Sequence, residues 1–89
     1  MAEFDWDEWN LDHVAQHAVT ADEAEEAYND PRKRGMPAYN TPAEQRWAVL
    51  GATAAGRLLY LVYTRQASTI RIITARNAEA AEKRRYRRK

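Results

Sequence analysis

The stretch from Arg57 to Arg76 limits the folds open to this chain more than any other. It reads R-L-L-Y-L-V-Y-T-R, then Q-A-S, then T-I-R-I-I-T-A-R, the densest run of β-branched and aromatic residues in the sequence. Two such runs parted by a short polar loop predict the antiparallel strands of one hairpin, which the remaining segments must cover. Arg57, Arg65, Arg71 and Arg76 sit on or at the ends of these otherwise apolar strands. A guanidinium buried without a partner carries a large desolvation penalty. Each must therefore pair with a carboxylate or face a groove that an anion can enter.

Ahead of the hairpin, Phe4 to Trp6 alternates apolar and acidic residues and reads as a short first strand or an anchoring arm. Asp7 is placed to cap a helix in which Leu11, Val14, Ala15 and Ala18 recur at helical spacing through about residue 17, with Trp9, His13, Gln16 and His17 projecting elsewhere. Thr20 and Glu23 form a T-x-x-E capping box for a second helix with Ala24, Ala27 and Tyr28 inward, and Asp30-Pro31 ends it. Residues 31–44 hold all three prolines and one of the three glycines, so no regular element is predicted there. Arg32, Lys33, Arg34 and Tyr39 in that loop either touch nucleic acid or are simply solvated. Arg46 to Leu50 is the next strand, closed by Gly51 and joined through A-T-A-A-G to the hairpin as an antiparallel meander. Asn77 is expected to cap a last helix in which Ala78, Ala81 and Arg85 share a face and Glu79 meets Lys83, ending in K-R-R-Y-R-R-K. The expected fold is α+β: two N-terminal helices, an antiparallel sheet of three to four strands and a C-terminal helix.

At 89 residues the chain fits one domain over 1–89 that buries roughly 60–65% of its unfolded surface. Without cysteine it has no disulfide and no Cys-ligated zinc or iron–sulfur cluster, and a reducing cytoplasm is the natural compartment. Its longest apolar run, Leu58 to Tyr63, is far below the ~20 residues of a membrane helix, and its acidic start is unlike a signal peptide. The net charge of +1 conceals a division, because residues 1–30 carry ten carboxylates and no Lys or Arg whereas all fourteen bases follow with three acids. Either an acidic layer pairs internally with a basic one, or a basic face meets a polyanion.

Among residues able to do chemistry, the arginines come first. RNA cleavage needs extra negative charge on phosphorus to be stabilised, which preorganised guanidiniums do without titrating. The basic C-terminal helix would steer the polyanion. Tyr39, Tyr60, Tyr63 and Tyr86 are candidates to stack an extruded base, although one of Tyr60 and Tyr63 must point into the core; Tyr86, within the basic tail, is the better placed for a ligand. His13 and His17 have the spacing of paired metal ligands but lack the H-E-x-x-H order and a third ligand, so neither metal nor cofactor is expected. His17 can serve as a general acid or base, or merely favour the helix dipole. There is no glycine-rich phosphate loop and no G-x-S-x-G.

These residues also carry a likeness. F-D-W-D-E-W-N, Q-H-A-V, R-W-A-V-L-G, G-R-L-L-Y-L-V-Y-T, and I-R-I-I-T-A-R followed by E-K-R-R-Y, in this order over nearly the whole chain, resemble the BrnT family of bacterial type II toxins. The resemblance implies a RelE-like fold and a metal-independent ribonuclease that halts translation by attack of a ribose 2′-oxygen on the adjacent phosphate. It also implies neutralisation by a BrnA-type antitoxin that represses the shared operon, with a toxin homodimer within the complex. The positions that match the family's motif are Arg46, Arg65, Arg71, Arg76 and Tyr86, with His17; with the arginine placement they lead to the expectation that Arg65 and Arg76 hold the phosphate charge, Arg46 and Arg71 position RNA, Tyr86 stacks or assists proton transfer, and His17 joins the catalytic set. Arg84 and Arg85 of the basic helix are expected to bind RNA. Family members commonly have lysine where this chain has Trp9 and Gln16, and glycine where it has Ala18. Two rival readings follow: a non-catalytic RNA-binding or regulatory module, and a degenerate toxin retained for partner binding.

Overall fold

The computed structural model describes residues 3–38 and 44–88; Tyr39 and Lys89 lie outside the described residues. In chain order the elements are β1 (Glu3–Phe4), α1 (Glu8–Ala15), α2 (Ala21–Tyr28), β2 (Arg34–Met36), β3 (Trp47–Ala52), β4 (Leu58–Gln66), β5 (Thr69–Asn77) and α3 (Ala80–Arg87). The strands form one sheet in the order β1-β5-β4-β3-β2, giving an α+β fold. The expected meander is its centre: Trp47 to Ala52 run antiparallel to Tyr63 to Leu58, and β4 returns as β5 after two residues.

Five strands stand where three to four were expected, and both additions are edge strands. At one edge β1 joins β5 in parallel, Phe4 opposite Ile70. At the other, Arg34, Gly35 and Met36 pair with Leu50, Val49 and Ala48, so residues 31–44 do contain a regular element. Pro31 and Pro37 flank this strand rather than enter it, which leaves its ladder N–H groups intact.

The helices α1 and α2 cover one face of the sheet. Val14, Val19, Ala24 and Ala27 pack there on Val49, Leu59, Leu61, Tyr63, Ile70, Ile72 and Ala75. The caps are as read: the Asp7 carboxylate accepts the Asn10 N–H, and Thr20 and Glu23 exchange side-chain and backbone bonds. The inward face of α1, however, is Asn10 and Val14, while Leu11 stays 40% exposed. Asn10 is satisfied while buried: its amide donates to the carbonyls of Asp5 at 2.9 Å and Ile72 at 3.0 Å, and its oxygen accepts the Asp7 N–H at 2.8 Å. Losing such a side chain would leave buried backbone groups unsatisfied, so Asn10 pins β1, α1 and β5 together. The last helix is capped by Glu79 rather than Asn77, because the Ala78 N–H still bonds to the Leu58 carbonyl and prolongs the β4–β5 ladder.

The other face of the sheet is partly open, with α3 beside it. Which side chains reach that face depends on an irregularity in β5. Tyr63 pairs with Ile72 but Val62 pairs with Thr74, so Ile73 is an extra residue. A bulge of this kind reverses the alternation of the strand beyond it. Ile70 and Ile72 point to the helices, whereas Thr74 and Arg76 point away from them, on the face shared by Arg71. Among the described residues no helix is long and apolar enough to cross a membrane.

Candidate nucleic-acid interface

Strand alternation sets the address of each arginine. Arg46, next to the inward Trp47, lies on the open face, where it lines a hollow of about 400 Å³ with Pro37, Ala38, Tyr60, Val62 and Thr74. Tyr60 and Tyr63 point to opposite faces, and Tyr63 is the one in the core. Arg76 lies beside that hollow with its guanidinium 4.3 Å from the centre of the Tyr60 ring, in cation–π contact. The Glu82 carboxylate grips both its terminal nitrogens, at 2.8 and 2.9 Å, and Glu79 adds an oxygen at 3.6 Å. The hydrogen bond from Arg76 is the main reason that the Glu82 carboxyl is held below its ordinary value, and Glu82 in turn raises Arg76.

No residue of α3 is buried. Polar contacts attach it: Glu82 to Arg76, the Arg34 guanidinium to the carbonyls of Arg85 and Arg88, and the Tyr86 hydroxyl to the Asp30 carboxylate. Arg84 and Arg85 line a second hollow, about 330 Å³, with Met36, Ala81, Glu82 and Arg88. Asp30 also accepts the N–H groups of Ala52 and Arg32, both at 2.9 Å. Burial pushes its carboxyl upward, but these hydrogen bonds and the Arg32 charge outweigh burial and hold it low. Tyr86 shifts the opposite way, raised by its own burial and then by the Asp30 carboxylate, so its hydroxyl keeps its proton.

The remaining expected residues lie elsewhere. Arg65 is on the helix face, 4.7 Å over the Trp47 ring and 5.9 Å from that of Tyr63, with no carboxylate at ion-pair distance among the described residues. Arg71 shares the open face but sits toward β1, held by Asp5 at 3.4 Å and Asp7 at 3.0 Å. His17 lies beyond the end of α1, exposed, and its carbonyl accepts from Arg57 on the helix side. His13 instead stacks on Trp9, ring centres 4.2 Å apart, within α1, which ends at Ala15 before His17 is reached. Among the described residues no group of three or more His, Asp or Glu is placed to hold a metal ion.

The arginines therefore do not converge on one hollow. The structure brings Arg46, Tyr60 and Arg76 together on the open face with Arg84, Arg85 and Tyr86 along its border; it keeps Arg65 and His17 on the other side. Sequence reasoning missed Asp30, Glu82 and Thr74. Asp30 was legible only as the residue that ends a helix before proline. The contacts of Glu82 and the direction of Thr74 depend on the bulge, which leaves no mark in the sequence.

In this small α+β protein the sheet offers one open face of guanidiniums and a tyrosine ring, bordered by an arginine-rich helix, a surface chemistry complementary to polyanions. The family comparison is more specific: the model described as the ribonuclease toxin, BrnT, of type II toxin–antitoxin systems matches residues 6–82, and the chain belongs to this family. A search of curated proteins finds no match.

Proposed function

We propose that the protein is a metal-independent endoribonuclease that lays an RNA strand along the open face of its sheet. The ribose 2′-oxygen gives up its proton and attacks the adjacent phosphorus, the P–O5′ bond breaks, and the 5′-oxygen takes a proton. The RNA then ends in a 2′,3′-cyclic phosphate. The observation that carries this reading is the two-point grip of Arg76 on the Glu82 carboxylate beside Tyr60 and Arg46. A planar fork that holds a carboxylate at two oxygens is equally matched to a phosphate, so RNA exchanges with Glu82.

In this arrangement Arg76 stabilises the charge developing on phosphorus, Arg46 positions the strand, and Arg84 and Arg85 hold neighbouring phosphates. Tyr60 offers its ring to a base. Tyr86, which retains its proton, acts as a hydrogen-bond donor rather than a base. Arg65 lies on the opposite face from Arg76, so it serves a different phosphate; Arg71 steers RNA from the β1 edge, and His17 has no part in the step on the open face. Cleavage halts translation, and a BrnA-type antitoxin neutralises the toxin as a complex containing a toxin dimer.

The purified protein with RNA and a chelator should yield 2′,3′-cyclic ends, and Arg76→Ala should slow cleavage by about 10²–10³-fold, the usual effect of removing one charge-stabilising donor. Equal rates for Arg76→Ala and wild type would remove Arg76 from the site. The ion pairs of Arg71 and Arg76 favour a second reading, a non-catalytic RNA binder or a degenerate toxin kept for its partner. Stoichiometric, salt-sensitive binding without new cyclic ends would select it.

A further inference from the structure

We propose that the end of the molecule where α3 terminates is a second phosphate-binding surface, holding the backbone of the same RNA away from the cut. This rests on the reading of RNA as substrate. Arg32, Lys33, Arg34, Arg87 and Arg88 surround a hollow of about 640 Å³ beside Tyr86. Arg57, Lys83 and Arg87 line an adjoining hollow of about 310 Å³ with Asn77, so Arg87 belongs to both. Neither hollow shares a residue with the Arg46–Tyr60 hollow of the open face.

Three features distinguish this surface from a solvated tail. Its frame is fixed: Asp30, 9% exposed, ties Tyr86 and the Arg32 backbone to β3, and Arg34 clasps the last carbonyls of α3. Its charge is largely uncompensated, since among the described residues the ion pairs are made by Arg46, Arg57, Arg71 and Arg76, leaving Arg32, Lys33, Lys83, Arg87 and Arg88 without a carboxylate at that distance. Its cations also crowd one another. Lys83 and Arg87 stand four apart on α3, where like charges repel.

A surface that keeps repelling cations on a rigid frame is relieved when a polyanion enters, releasing counterions as it does so. The larger hollow is rimmed by four guanidiniums, whose forks match phosphate oxygens, and among the described residues Tyr86 is its sole aromatic one. RNA backbone fits this chemistry better than a lipid surface, because among the described residues the larger hollow is lined by no aliphatic side chain, and Leu58 alone supplies one to the smaller.

The test is the combined Arg32→Gln, Lys83→Gln, Arg87→Gln, Arg88→Gln variant, with α3 checked by circular dichroism. A long single-stranded RNA, blocked from cleavage by 2′-O-methyl groups, is titrated over a range of salt. The slope of log K against log salt should shrink by roughly 0.7 for each cation lost from contact, while single-turnover cleavage of a dinucleotide is unchanged. Should the combined variant lose α3, Arg87→Gln with Arg88→Gln reads the same slope. An unchanged slope overturns the proposal, as does equal damage to long and short substrates, or loss of binding to phosphatidylserine vesicles with RNA binding intact. Wild-type protein that shows the slope but makes no cyclic ends would overturn the nuclease reading and leave this surface standing.

Discussion

At Ala18 the backbone turns left-handed, φ 57, to close α1. The Ala18 N–H bonds to the Ala15 carbonyl at 2.9 Å and the Val19 N–H reaches back to that of Val14 at 3.0 Å, the double bond pattern that usually has glycine at its turning residue. The Arg57 guanidinium then takes the Ala18 carbonyl at 2.7 Å, so the turn is fastened and cannot relax. An L-residue in this region costs about 1–2 kcal/mol, part of which glycine gives back through its freer unfolded state. Ala18→Gly should therefore stabilise the protein by about 1 kcal/mol, lifting the thermal midpoint by roughly 4–8 °C for a domain of this size. Thermal unfolding followed by circular dichroism checks it, and a lower midpoint would show that Ala18 is not strained. This position was visible in the sequence, since the family pattern has glycine there. Asn10 was not: its role comes from the carbonyls of Asp5, just after β1, and Ile72 of β5, which meet only in the fold.

At the scale of elements, what was legible follows from local density of signal. The hairpin, the strand before it and both helix caps declare themselves through β-branched runs and short polar motifs whose partners lie within a few residues. The edge strands did not, because β1 has two residues and β2 three, too few for a period, and each is stabilised by a neighbour distant in sequence. The site suffered for the same reason. Arg71 and Arg76 are five apart, which in a regular strand puts them on opposite faces, and only the extra Ile73 brings both to the open one. Packing of α2 was half legible: Ala24 and Ala27 announced an inward face, but not how closely or on what it would seat. At Gly51 an added Cβ would lie 2.0 Å from the Ala27 carbonyl oxygen and 2.8 Å from its carbon, both backbone atoms that no rotamer change can move. Gly51→Ala must therefore push α2 off β3 and should cost about 3 kcal/mol, the upper part of the usual range for overpacking. The denaturant midpoint should fall with little change in slope; a midpoint equal to wild type would mean that α2 is not seated on Gly51.

Over the whole molecule, the division of charge read from the sequence resolves in part into internal pairing. Glu23 pairs with Arg57, and Asp5 and Asp7 with Arg71, while among the described residues Arg32, Lys33, Arg87 and Arg88 around the end of α3 have no carboxylate at ion-pair distance. The acids so engaged make stability depend on pH in a definite direction. Asp7, Glu23, Asp30 and Glu82 all lie below their ordinary values in the folded chain. The leading causes are the Asn10 N–H for Asp7, the Thr20 N–H for Glu23 and the Arg76 guanidinium for Glu82; at Asp30 the bonds from Tyr86, Ala52 and Arg32 overcome burial. The unfolded chain binds protons at these sites near pH 4, before the folded chain does, so their contribution is complete above that pH and is lost as pH falls through the lower folded values. Tyr28 and Tyr86, raised chiefly by burial, act oppositely: their contribution holds below about pH 10 and is lost above it. Stability should thus be level between these limits and decline below pH 4. In Asp30→Asn, which keeps an acceptor oxygen but no titrating group, denaturant midpoints should be lower at pH 7, and the loss between pH 7 and pH 3 should be smaller than in wild type. Equal losses in the two proteins would show that Asp30, and with it the clasp on Tyr86, does not anchor α3 through its charge.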